Sequence, residues 1–101
     1  MNIISRKALL TFVKKHTDAA EPLDIWRRRT RKAKWLNLAD LKMDYPVSDL
    51  VGNCMVFNIG GNKYRLIVKI KYLKQTVYIR FVLTHQEYDK NKGGWKYDCG
   101  C

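Results

Sequence analysis

The residues best suited to chemistry lie in the second half of this sequence. Arg65, Lys69 and Lys71 occupy alternate positions of one segment whose intervening residues are apolar, and Tyr78 and Arg80 do the same in the next. Immediately afterwards THQEYDK (Thr84 to Lys90) supplies the imidazole of His85, the phenol of Tyr88 and a further cation, Lys90. A basic surface with interspersed aromatic rings suits single-stranded nucleic acid, because cations follow phosphates and rings stack on bases. A histidine or tyrosine beside arginines also meets the needs of phosphodiester cleavage by a ribose 2′-hydroxyl. A base takes the 2′ proton, cations stabilise the charge that builds on phosphorus, and an acid protonates the leaving 5′ oxygen. No carboxylate cluster suggests a metal-dependent route. Taken alone, the same residues also fit a solvated basic face with a structural histidine.

Strands are expected to position this face. Cys54 to Ile59 and Lys63 to Tyr72 flank Gly60-Gly61-Asn62, a hairpin signal, since these residues tolerate positive φ. Tyr64, Leu66, Val68 and Ile70 alternate with Lys63, Arg65, Ile67, Lys69 and Lys71, which predicts a half-buried strand with a basic outer face. A turn near Lys74-Gln75 leads to a third strand, in which Val77, Ile79, Phe81 and Leu83 are expected on one face and Tyr78, Arg80, Val82 and Thr84 on the other.

The first half reads as helices behind a short apolar start at Ile3 and Ile4. Ser5 is placed to cap a helix with Ala8, Leu9, Phe12 and Val13 on one side, and His16 falls at its end as a dipole cap. Asp18-x-x-Glu21 resembles a capping box opening a second helix, with Ala19, Leu23, Trp26, Thr30 and Ala33 as its apolar stripe. Arg27, Arg28, Arg31, Lys32 and Lys34 wrap its exposed side. Asn37-x-x-Asp40 starts one short helical turn that Pro46 ends. The expected fold is α+β: a short N-terminal strand and two helices packed on one face of a small antiparallel sheet.

Composition narrows the function classes. The 101 residues include 20 Lys/Arg and 9 Asp/Glu, a formal charge of +11. Residues 1–37 carry a net +7 and residues 63–92 a net +6, on either side of a connector of −2. Such an excess opposes compactness unless a polyanion compensates, and 47% hydrophobic residues are too many for a disordered basic tail. No apolar run approaches the ~20 residues that span a bilayer, and the opening residues lack a signal-peptide core. A cytoplasmic protein without membrane association is expected. Three cysteines, an odd number with two at the C-terminus, do not read as a disulfide framework and fit a reducing compartment. Cys54 reads as a small core residue, and Cys99-Gly100-Cys101 with a histidine would leave a zinc site incomplete, so neither metal nor cofactor is expected. A DNA-binding regulator acting by itself is disfavoured, because nothing before the basic helix forms a helix-turn-helix partner.

Two stretches carry a family resemblance. GNCMVFNIGGNKYRLIVKIKY (Gly52 to Tyr72) and VYIRFVLTHQEYDK (Val77 to Lys90) closely resemble the HigB family of bacterial toxins, as do IISRKAL and KAKWLNLADLK in the first half. The resemblance covers about residues 1–90, so one domain over 1–92 and a C-terminal tail over 93–101 are expected. It implies a RelE-like fold and the toxin of a type II toxin–antitoxin pair, a ribosome-dependent endoribonuclease that cuts messenger RNA without a metal. It also implies a HigA-type helix-turn-helix antitoxin, with operator DNA bound only through the complex. On this resemblance Arg65 contacts the scissile phosphate, His85 serves as general base or acid, and Tyr88 is the complementary group or a base-stacking surface. Lys63, Lys69, Lys71, Arg80 and Lys90 become candidate RNA contacts, and Arg27, Arg28, Arg31, Lys32 and Lys34 a docking surface for ribosomal RNA. A non-catalytic RNA- or ribosome-binding protein is the alternative.

Overall fold

In a computed structural model, described over residues 1–100, the chain forms one five-stranded sheet with its first three helices on one face and its last helix on the other. Strand β1 (Asn2–Ile4) leads into α1 (Arg6–Lys15), α2 (Ala20–Lys32) and α3 (Leu38–Asp44). Strands β2 (Asp49–Val51), β3 (Cys54–Ile59), β4 (Tyr64–Lys71) and β5 (Thr76–Thr84) follow, and two short helices, α4 (His85–Asp89) and α5 (Trp95–Asp98), close the chain. The strand order is β1-β5-β4-β3-β2. The β2 to β5 segments run antiparallel, while β1 lies parallel along the outer edge of β5, with Asn2 opposite Thr76 and Ile4 opposite Tyr78. The expected three-stranded meander is therefore its centre, widened by β1 and by the short β2.

The α+β expectation holds, and its apolar stripe is the one read from the sequence. Leu23, Trp26 and Thr30 of α2 are buried, with Trp26 edge-on to Phe57 of β3 at 5.6 Å. Tyr64, Leu66 and Val68 join them from β4. The helix starts differ in part. Ser5 precedes α1 with φ of 75° and makes no side-chain cap; its carbonyl accepts from the Ala8 N–H instead. Asp18 lies in a single 3₁₀ turn ahead of α2, and its carboxylate accepts hydrogen bonds from Lys63 Nζ and the Tyr64 hydroxyl of β4. A cross-element partner has taken the capping carboxylate, so no capping box forms at α2. Asn37 does cap α3, its Oδ1 accepting from Asp40 N at 2.9 Å.

Strict alternation fails in β5. Ile67 pairs with Phe81 but the next residue, Val68, pairs with Ile79, which leaves Arg80 as an extra residue in β5. A bulge of this kind turns two successive side chains to the same face. Val77 and Ile79 consequently pack under the helices with Val82, whereas Phe81 and Leu83 join the opposite face. The expected single row from Val77 to Leu83 is split by that one residue.

That opposite face is not an open basic surface. Cys54, Val56, Ile67 and Leu83 form a second core there, roofed by Trp95 and Cys99. Residues 95–99 are packed rather than frayed: Trp95 is 1% exposed and Cys99 fully buried. The cysteine arithmetic is corrected as well, because Cys54 and Cys99 form a disulfide across 45 positions. Parity says nothing about two cysteines that folding brings together, and closing a loop of this length stabilises by about 4 kcal/mol in the chain-entropy picture. Cys101 lies outside the described residues.

The Asn37 cap supplies a direct check on the local reading. Asn37→Ala is expected to lower stability to urea by about 1 kcal/mol, and Asn37→Asp to restore most of it, because either side-chain oxygen can accept from the N–H of residue 40.

Candidate functional site

Arg65, His85 and Tyr88 converge at one end of the sheet because three local structures meet there. The β3–β4 turn is made tight by Gly60 and Gly61, both at positive φ. On the neighbouring strand Thr84 faces Tyr64 and Leu83 faces Arg65. A capping box then starts α4: Thr84 Oγ1 accepts from Glu87 N at 3.1 Å, and Glu87 Oε1 accepts from Thr84 N at 2.9 Å. The His85 N–H donates to the Lys63 carbonyl at 2.9 Å, which fastens α4 to the hairpin. His85 and Tyr88 are three residues apart, a spacing that puts both on one side of a helix.

Arg65 is 9% exposed, not solvent-facing as a plain alternating strand implies. Its Nη1 donates to the carbonyls of Asn62 at 3.1 Å and Tyr64 at 3.2 Å, and its guanidinium carbon lies 5.5 Å from the centre of the Tyr88 ring. The carbonyl dipoles and the ring's electron-rich face complement the positive guanidinium where bulk water does not reach it. Tyr88 in turn stacks on Trp95, with centroids 4.5 Å apart and planes at 13°. His85 is about half exposed, and its Nδ1 lies 3.0 Å from Asp89 Oδ2. A neutral imidazole that donates Nδ1–H to this carboxylate keeps the Nε2 lone pair available as a base. Asp89 escaped the sequence reading; its signal is the four-residue spacing from His85 within one helical turn.

The other nominated cations divide into three groups. Lys69 and Arg80 share the second sheet face and are engaged by Asp98 of α5: Arg80 donates to both carboxylate oxygens at 2.9 Å, and Lys69 Nζ lies 3.8 Å away. Lys63 pairs with Asp18 at 3.1 Å, while Lys71 and Lys90 are exposed. Arg27, Arg28, Arg31, Lys32 and Lys34 belong to the helical layer, across the sheet from Arg65, where Asp24 engages Arg27 and Arg28 at 3.0 Å each. His16 sits at the C-cap of α1 as expected, stacked on Phe12 at 4.4 Å.

Two further features bear on ligands. An open groove of about 600 Å³ runs between α1 and the part of β5 beyond its pairing with β1, lined by Lys7, Lys15, Phe12, Arg80, Phe81 and Lys92. It borders α4 through Glu87 but does not include Arg65, His85 or Tyr88. Cys54, Asp98 and Cys99 bring potential metal-ligating atoms within 4.8 Å of one another, but the sulfurs are bonded to each other and Asp98 is engaged by Arg80.

Comparison with known proteins shows the family. The family of HigB toxins, described as the RelE-like toxic component of a toxin–antitoxin system, matches residues 19–91. The mRNA interferase toxin HigB of Escherichia coli strain K12 is 32% identical over 92 residues, covering 88% of this chain and 88% of that protein. The mRNA interferase HigB of Shigella flexneri is similar to the same extent.

The Asp98 clasp has a pH signature. Hydrogen bonds from Arg80 hold the Asp98 carboxyl below its ordinary value of 3.8, with the Arg80 and Lys69 charges adding to them and burial opposing. A carboxyl depressed in the folded state stabilises above its unfolded value and loses that contribution as pH falls through the folded one. Asp98→Asn is therefore expected to lower the melting temperature at neutral pH. The difference, followed by circular dichroism, is expected to shrink only as pH falls below the ordinary value of 3.8 and to vanish below the depressed folded-state value.

Proposed function

This chain belongs to the HigB toxin family, and on that premise we propose that it is an endoribonuclease that cuts messenger RNA on the ribosome by metal-independent acid/base chemistry. The observation that supports the reading is the buried Arg65 guanidinium beside the Tyr88 ring, with the His85–Asp89 pair on the same short helix as Tyr88. In this reading His85 Nε2 takes the proton from the 2′-hydroxyl of the nucleotide at the cut. The 2′ oxygen attacks phosphorus, and Arg65 stabilises the charge that develops on the non-bridging oxygens. Tyr88 protonates the departing 5′ oxygen or stacks on the adjoining base. Asp89 stabilises the imidazolium that His85 becomes. The 5′ oxygen leaves with a proton, and the phosphate closes onto the 2′ oxygen.

The remaining charge serves binding. Lys63, Lys69, Lys71, Arg80 and Lys90 contact the message, with Lys69 and Arg80 partly neutralised by Asp98. Arg27, Arg28, Arg31, Lys32 and Lys34 dock on ribosomal RNA from the helical side. Toxin–antitoxin membership implies an antitoxin partner; we take it to be a HigA-type helix-turn-helix protein through which operator DNA is bound, in the cytoplasm.

Growth arrest and primer extension across a translated message test the cleavage directly. Arg65→Ala and His85→Gln, expressed without antitoxin, are each expected to reduce cleavage about a hundredfold or more, the usual scale for loss of a charge stabiliser or a positioned base. Equal arrest by both variants and the parent overturns the assigned site. Inhibition of translation with intact transcripts supports the non-catalytic alternative instead. A separate variant reversing Arg27, Arg28 and Arg31 to Glu is expected to weaken cosedimentation with ribosomes and flatten its salt dependence. Unchanged cosedimentation leaves that helix a solvated face.

A further inference from the structure

The C-terminal segment has more contact with the candidate site than a packing role alone requires. Trp95 holds Tyr88 twice, by stacking on its ring at 4.5 Å and by donating Nε1–H to its backbone carbonyl at 2.9 Å. Tyr88 is the ring beside the Arg65 guanidinium. Trp95 is thus one residue removed from the group proposed to meet the phosphate.

The element that carries Trp95 has little strength of its own. Helix α5 is four residues long, too short to persist without outside support. It is entered through Gly93 and Gly94, at φ of 70° and 67°, where the absence of a Cβ makes rotation easy. Its support comes from the sheet: the Cys54–Cys99 disulfide to β3, the Asn53 N–H to the Cys99 carbonyl at 2.8 Å, and Asp98 to Arg80. The disulfide is the covalent member of that set. In a reducing compartment, disulfides tend to be transient and redox-sensing rather than permanent.

We propose that Trp95 is a positioning residue for the Arg65–Tyr88 pair and that the Cys54–Cys99 disulfide is the catch holding it there, so that the thiol–disulfide state of this pair sets the competence of the site. The inference rests on the reading of Arg65 and Tyr88 given above. Release needs a dithiol reductant. One of its thiolates attacks the Cys99 Sγ, the Cys54 thiolate leaves and takes a proton, and the second reductant thiol then displaces the Cys99 thiolate, which is protonated in turn. The protein gains two electrons and two protons, and the dithiol becomes a disulfide. Both sulfurs are buried, so attack follows opening of α5 about the glycine pair. Reoxidation reverses each step.

The test compares the purified full chain in its oxidised form and after treatment with dithiothreitol, by proton NMR and by single-turnover cleavage of a message on ribosomes. A parallel indole shifts the Tyr88 ring protons upfield. Reduction is expected to collapse that shift, leave the β3 to β5 amides in place, and slow cleavage about ten- to a hundredfold, the scale of misplacing a reacting group by about 1 Å. Cys99→Ser is expected to behave as the reduced protein and to ignore the reductant. Trp95→Phe, which keeps a stacking ring, is expected to retain most of the rate, and Trp95→Leu to lose it. Equal rates for oxidised and reduced protein, or a Trp95→Leu variant as fast as the parent, overturn the inference. Loss of the sheet amides on reduction overturns it in favour of a simple structural staple. Tyr88→Ala separates the two levels: if it cleaves as the parent does, the role of Tyr88 itself falls and the inference falls with it. If Tyr88→Ala is inactive while reduction and Trp95→Leu change nothing, only the inference falls.

Discussion

Arg65 carries a permanent positive charge on a strand whose neighbours on both faces are apolar, and most of the site's geometry follows from satisfying it. A guanidinium that is 9% exposed cannot depend on bulk water for its hydrogen bonds. The β3–β4 turn therefore aims the carbonyl of Asn62 at Nη1, and the strand adds that of Tyr64. The Tyr88 ring contributes its electron-rich face. Placing that ring fixes where α4 must begin, which the Thr84–Glu87 capping box and the His85 N–H to Lys63 carbonyl bond secure. Held by dipoles rather than by a carboxylate, the Arg65 charge is not neutralised among the described residues, which is what the proposed role toward an incoming phosphate requires.

The second sheet face is organised around the same end of β4. The bulge at Arg80 turns Phe81 and Leu83 toward Ile67 and Val56, which creates an apolar floor where a basic surface was expected. Trp95 and the disulfide cover that floor, and Asp98 engages Arg80 and Lys69 at its margin. Cations that look free in the sequence are thus unequal. Those on α2 lie on the far side of the sheet, and those of β4 and β5 are partly neutralised within the chain. An overall +11 is compatible with very different local potentials on the two faces.

Much of this was legible in the sequence where local rules decide the outcome. The Leu23/Trp26/Thr30 stripe and the Gly60-Gly61 turn depend on periodicity and backbone preference, and both formed as read. Asn37 caps α3 for the same reason. What escaped depends on partners distant in the chain. Asp18 bonds to Tyr64 rather than capping α2, β1 joins the sheet beside β5, and Cys54 meets Cys99. Of the site, strand alternation and the segment after the third strand brought up Arg65, His85 and Tyr88 among other cations and rings, and the family resemblance narrowed the choice and assigned their roles. The burial of Arg65 and the Asp89 partner of His85 needed the bulge and the short helix, neither of which leaves a strong periodic signal.

The central claim is that the 2′-hydroxyl is the nucleophile and that the chain's own acid, base and guanidinium carry the reaction. The chemistry of the new RNA ends tests this most directly. Message cleaved by the purified protein on ribosomes is predicted to carry a 2′,3′-cyclic phosphate on the upstream fragment and a 5′-hydroxyl on the downstream one. A 3′-hydroxyl facing a 5′-phosphate would mean that water attacked instead, and would contradict the account.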